Sequence, residues 1–237
     1  MKERTIIISE HPGLASIDLP SPKYRNRALR VLHEHNIELS FYMQNSGSQY
    51  FNRFIASLLC NVERKACENS DLIFTKTPED KRLLQKIYDV PARKIHVIPA
   101  GVESNQVKPL TPDEKKKTNE KFGLYRPTAI FMGSSVAIKN VKGANFIAYS
   151  LAPVVPEIDF IILGDVASTL NSGKVPKNVR LIGLVPEEDK NLYLMSSHFA
   201  LNPVPVSAGI NVKMLEYMAA GVPTITTHAG ARGIDIE

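Results

Sequence analysis

The chain has 237 residues, 43% of them hydrophobic, and a formal charge of +5. That length allows one large domain or two small ones with ample core. The basic residues are scattered and there is no tryptophan, which excludes both a basic, aromatic-interleaved nucleic-acid surface and a base-stacking platform. A mild positive balance suits an anionic substrate or a peripheral contact with acidic lipid. Cys60 and Cys67 are the only cysteines. They lie about two helical turns apart, too far for a disulfide, and read as reduced core thiols of a cytoplasmic protein. No apolar run approaches the roughly 20 residues of a membrane span, and MKERTIIISEHP has no secretory apolar region.

In chain order, Thr5–Ser9 reads as an apolar strand buried on both faces. A buried strand so near the start, and an abrupt end at Asp235–Glu237, suggest a fragment lacking earlier strands of the same sheet. Glu10–His11–Pro12–Gly13 is a loop at a strand C-terminal end, where parallel sheets place ligands. A second strand spans Leu29–Leu32, followed by the polar stretch from His33 to Glu38. Phe51, Phe54, Ile55, Leu58, Leu59, Val62 and Ala66 recur at helical spacing and predict a helix over 48–69. Asp71–Thr75 is a short strand. Thr77, Pro78, Glu79 and Asp80 are an N-cap, a first-turn proline and two first-turn acids, opening a helix to Tyr88. Lys94–Ile98 is a further strand.

Lys108–Lys121 is charged, bracketed by prolines, and reads as a linker with a surface helix. A second α/β pattern then begins: strands at Thr128–Met132, Asp159–Leu163 and Asn178–Ile182, and helices at Ala144–Leu151 and Pro186–Met195. It closes on a strand at Phe199–Val204, a loop with Ser207 and Gly209, a helix over 210–220, and a strand at Val222–Thr227. Gly221 sits where a left-handed C-cap is wanted, and Pro223 stops the helix. The helix start can offer backbone N–H groups to an anion. Glu216 is the one acid in an otherwise apolar helix.

Several motifs, taken in order, carry a resemblance: Ile98–Val102 (IPAGV), Phe131–Ser134 (FMGS), Lys142–Gly143, Ile162–Gly164, Gly183–Val185, and Lys213–Pro223 (KMLEYMAAGVP). Together they resemble the group 1 glycosyltransferases, which are retaining and nucleotide-sugar-dependent. The resemblance implies an α/β fold with two Rossmann-like domains whose parallel sheets face across a cleft. Residues 1–105 would then be the later part of an incomplete, acceptor-side domain, 106–127 the linker, and 128–237 the nucleotide-sugar-binding domain. The implied reaction moves a sugar from a UDP- or GDP-type nucleotide diphosphate donor to a glycan, lipid-linked or small-molecule acceptor. It needs no metal or other cofactor and involves no nucleic acid, and it proceeds in the cytoplasm with room for contact at the inner membrane face.

The resemblance also implies residue roles. Gly133, Ser134, Gly209, Ile210, Asn211 and Lys213 would bind the donor. Glu216 would accept hydrogen bonds from the ribose hydroxyls, a task suited to two carboxylate oxygens. Ser134 stands where the family places an arginine, so Lys139 and Lys142 are the candidates to neutralise the leaving diphosphate. Lys142 is preferred because Gly143 follows it. His11 falls where relatives place a histidine that contacts the donor sugar. The first glutamate of the family's paired motif falls on Ala208, which leaves sugar recognition to backbone N–H groups near 208–211. The departure resembles a branch in which a lysine precedes the final glutamate. Arg232 is a loop cation for phosphate or a domain interface. His33 and His35 form an HxH pair with Glu34 and Glu38 nearby, but no third ligand lies at recognisable spacing, so no metal site is expected.

Two alternatives stand beside transfer. An epimerase of similar build would need paired acid/base carboxylates, which Ala208 disfavours. A non-catalytic nucleotide-binding pair of domains is the other. A dehydrogenase finds no support, because no G-x-G-x-x-G follows any strand.

Overall fold

The computed structural model describes residues 5–17, 28–45, 49–103 and 109–234. The chain divides into two units: Met1–Ala100 with Ala208–Ile210 and Arg232–Glu237, and Gly101–Ser207 with Asn211–Ala231.

The first unit runs β1 (Thr5–Ser9), α1 (Pro12–Ala15), β2 (Ala28–Glu34), α2 (Glu38–Asn45), α3 (Gln49–Asn69), β3 (Leu72–Thr75), α4 (Pro78–Tyr88) and β4 (Ile95–Val97). Its strands are parallel, in the order β1-β2-β3-β4. Leu32, Ile73 and Ile95 pack against Ala66 and Cys67 of α3 and against Leu84 and Tyr88 of α4. Each helix brings one apolar stripe to the sheet, as its period dictates. Thr77 caps α4 by accepting the Asp80 N–H at 3.0 Å, with Pro78 in the first turn. Both cysteines are free thiols, and Cys67 is buried.

Two expectations need correction here. β1 is not buried on both faces: Ile6 is 62% and Ile8 56% exposed, and among the described residues it pairs with β2 alone. The stretch after Leu32 is also more regular than its polarity suggests. β2 continues through Glu34, and α2 follows. The start of α2 is held by Glu63 of α3, whose carboxylate accepts the N–H groups of Glu38 at 2.6 Å and Leu39 at 3.3 Å. The Tyr88 hydroxyl donates to the same carboxylate. A cap supplied from 25 residues away leaves no local signature.

The second unit runs α5 (Pro112–Phe122), β5 (Thr128–Met132), α6 (Ile138–Phe146), β6 (Asp159–Leu163), β7 (Val179–Ile182), α7 (Glu187–Ser196), β8 (Phe199–Asn202), α8 (Val212–Ala219) and β9 (Thr224–Thr226). The charged stretch does form a helix, α5, closed by a full capping box between Thr111 and Glu114. It is fastened to this unit by stacking of Phe122 on Tyr193 at 3.9 Å and by Lys121–Asp189 at 2.9 Å. α6 begins six residues before the expected Ala144. Gly143 lies inside α6, where a Cβ would stand 3.3 Å from the Phe131 ring. The glycine serves close helix–sheet approach.

All five strands are parallel, in the order β7-β6-β5-β8-β9. The order reverses between β5 and β8, and the carboxyl ends of strands at such a reversal form a ligand crevice. Tyr217 of α8 ties the helix to this point. It is fully buried, and its hydroxyl accepts the Met132 N–H at 3.0 Å. Tyr217→Phe would leave that N–H buried and unpaired, so urea unfolding is expected to show a loss of about 1–3 kcal/mol.

Candidate nucleotide-binding site

At the carboxyl ends of β5, β6 and β7 lies a cleft of ≈ 520 Å³ lined by Gly133, Ser134, Asn140, Gly164, Asp165, Leu184, Lys190, Val212, Lys213 and Glu216, among others. Two glycines make its floor. Gly164 has φ 103, and a Cβ there would collide with the Gly133 carbonyl. The turn after β6 can therefore cross the turn after β5 only without a side chain.

Asn140, buried in the first turn of α6, organises one wall. Its amide donates to the Ser134 carbonyl at 3.0 Å, and its Oδ1 accepts from Lys213 Nζ at 2.6 Å. The Lys213 ammonium also lies 4.3 Å over the Phe131 ring. Burial, together with the nearby Lys139 charge and against the pull of Glu216, pushes the Lys213 pKa down to about 7. On the opposite wall, Ser135 and Ser134 donate to the Asp165 carboxylate at 2.5 and 3.4 Å. These bonds hold its pKa below the usual carboxylate range.

Lys139, and not Lys142, reaches the head of α8. Its Nζ donates to Asn211 Oδ1 at 2.7 Å and to Ser207 Oγ at 3.1 Å. One helical turn later, Lys142 is exposed. Asn211, the N-cap position of α8, donates in turn to the Gly230 carbonyl at 2.9 Å. Two ammonium groups, on Lys139 and Lys213, thus converge at a helix N-terminus, and both features favour an anion. Glu216 lies one turn further along α8, 30% exposed, with Oε1 at 3.4 Å from Lys190. Lys190 also meets Glu187 at 2.5 Å.

The remaining sequence candidates cluster with the first unit. Gly209 is left-handed at φ 64, and a Cβ there would meet Asn36 Oδ1 at 2.5 Å; Ile210 is half-buried beside it. His11 caps α1 by accepting the Gly13 N–H at 3.0 Å, with its Nε2 at 3.8 Å from Glu38. Arg232 is paired with the buried Asp80 at 2.6 Å, a structural tie between the closing loop and α4. Sequence reasoning missed Asn140, Asp165 and Lys190. The turn glycine Gly164 was the signal for Asp165, since a polar residue beside a strand-end glycine faces a crevice. Lys190 had no local signal, because it meets Glu216 from another helix.

Among the described residues no helix is long and apolar enough to cross a membrane. Residues 126–235 match the family model "Glycosyl transferases group 1". A GDP-mannose-dependent monoacylated alpha-(1-6)-phosphatidylinositol monomannoside mannosyltransferase of Corynebacterium glutamicum is 27% identical over 146 residues, which are 56% of this chain and 38% of that protein. The chain thus spans well under half the length of this curated relative. Among solved structures, Anabaena HepE in complex with UDP-glucose is similar at TM-score 0.60 and 15% identity, covering 96% of this chain and 81% of HepE. Sucrose-phosphate synthase of Thermosynechococcus elongatus is similar at TM-score 0.73 and 15% identity, covering 95% and 56%. These likenesses agree with an α/β fold of two Rossmann-like, parallel-sheet units. The likeness to the group 1 glycosyltransferases thus lies in residues 126–235, a little under half of the chain.

Proposed function

We propose that the chain binds a nucleotide diphosphate sugar and serves a retaining, metal-independent hexosyl transfer to a glycan, lipid-linked or small-molecule acceptor. The carrying observation is the convergence of Lys139 and Lys213 on the N-terminus of α8, with Glu216 one turn further along the same helix. The diphosphate sits against the helix start and the two ammonium groups, and its ribose diol against Glu216. When the glycosidic bond breaks, negative charge grows on the leaving phosphate. Fixed ammonium and N–H dipoles stabilise it there without a divalent ion. Between the two candidate lysines, the bonds to Asn211 and Ser207 favour Lys139.

A GDP-mannose-dependent relative and a UDP-glucose-bound structural neighbour support a GDP- or UDP-type donor. A thermal-shift screen of UDP- and GDP-sugars is expected to stabilise the chain with one of the two nucleotide types. Glu216→Ala removes hydrogen bonds to a charged acceptor and should weaken binding by about 10- to 150-fold, the equivalent of about 1.5–3 kcal/mol. Absence of a shift with every nucleotide tested would sink the reading.

A further inference from the structure

The first unit holds a second cluster of ligand-bearing side chains, independent of the nucleotide site. The parallel register sets Ser9 opposite Leu32, so the next residue on each chain, Glu10 and His33, come level. His35 lies just past the end of β2 and reaches the same carboxylate. Glu10 Oε2 lies 2.8 Å from His33 Nδ1 and 2.8 Å from His35 Nε2. One ligand atom from each of the three residues lies within 4.8 Å of the others. The imidazole centroids are 4.7 Å apart at 39°. The third ligand that chain spacing failed to supply is therefore delivered by strand pairing.

We propose that Glu10, His33 and His35 bind one divalent first-row transition ion of the zinc class. The donor set, two imidazole nitrogens and one carboxylate oxygen, is the chemistry such ions select over calcium or magnesium. A tetrahedral ion bonded at about 2.0–2.1 Å needs donors about 3.3 Å apart. Each nitrogen–oxygen pair must therefore open by about half an ångström from its present separation. The freedom exists: the side chains of Glu10 and His35 are 59% and 52% exposed, while that of His33, at 19%, is held by the strand. The same exposure leaves the remaining coordination positions open to solvent.

Two features oppose the ion. Nε2 of His33 is buried without an acceptor among the described residues, and a ring that gives Nδ1 to a metal carries its proton there. Lys76 also acts on His33 as a like charge beside a bound cation. Together they place the affinity in the micromolar range rather than that of a closed structural zinc site.

The test is calorimetric titration of the tag-free protein with Zn²⁺, and a visible spectrum of the Co²⁺ complex. The expected result is one ion per chain with micromolar affinity and the intense absorption of low-coordinate cobalt. Glu10→Gln and His35→Gln alter exposed side chains and should leave the ion-free melting temperature unchanged. Each should weaken binding at least about tenfold and abolish the cobalt spectrum. His96→Gln, an exposed histidine on β4, should bind as the parent does. Absence of a one-to-one complex, or a complex that survives both Glu10→Gln and His35→Gln, would overturn the proposal and leave a hydrogen-bonded trio sharing Glu10.

Discussion

Replacing Lys139 with alanine is expected to lower turnover of the intact enzyme by about 10²- to 10³-fold, the usual effect of deleting one preorganised group at a site of developing charge. The effect should fall on kcat more than on nucleotide affinity, because the ground-state diphosphate keeps Lys213 and the helix start. Lys142→Ala is the informative comparison. Lys142 is exposed, whereas Lys139 is bonded at the head of α8, so loss of Lys142 should change kcat by less than about twofold, as surface substitutions away from a site do. A larger loss at Lys142 than at Lys139 would reverse the assignment. Alanine at 139 also leaves Asn211 Oδ1 and Ser207 Oγ without that donor. Lys139→Arg, which keeps the charge, should recover part of the rate if charge at this point matters, and little if position dominates.

Lys213→Met is expected to weaken nucleotide binding by about 100-fold at pH 6 while raising the melting temperature of the free protein. Both effects have one cause. The folded environment gives up the Lys213 proton near pH 7, whereas an unfolded chain holds it to about pH 10. Between these values the unfolded state binds more protons, so stability contributed through this residue rises with pH. Below about pH 7 the lysine is charged in both states, the slope vanishes, and the full cost of enclosing the charge remains. Methionine keeps the contact with Phe131 and removes that cost.

A bound diphosphate offers the missing counter-charge and should raise the Lys213 pKa. Nucleotide binding at pH 8 is therefore expected to take up close to one proton, of order 0.9 for a group that starts near pKa 7. Uptake at pH 6 should be near zero, and the methionine variant should show none at either pH. Calorimetry in two buffers of different ionisation enthalpy measures this directly. Uptake unaffected by the substitution would place the proton on another group.

Much of this site was legible along the chain, because its parts are local. The 3.6-residue apolar period, Gly221 as a left-handed C-cap at φ 66, and one acid in an apolar helix define α8 and Glu216 without any tertiary contact. Which lysine reaches the head of α8 was not legible. The resemblance favoured Lys142 for the glycine that follows it, and the helix was expected only from Ala144. A start at Ile138 puts Lys139 in the first turn, within reach of Asn211. Asn140, between Ser134 and Lys213, was silent because its two partners lie 6 and 73 residues away.

By itself the sequence determined two α/β units, the strand ends that could hold a ligand, and an apolar helix with one acid on it. Periodicity, caps and turn glycines act over a few residues, and these act in any context that lets the helices pack. Tertiary structure alone decided which side chains converge. It brought Glu63 to cap α2, Glu10 to two histidines, Lys190 to Glu216 and Arg232 to Asp80. Each of these pairs is set by strand register or helix docking, and neither leaves a trace in the spacing of the residues it joins.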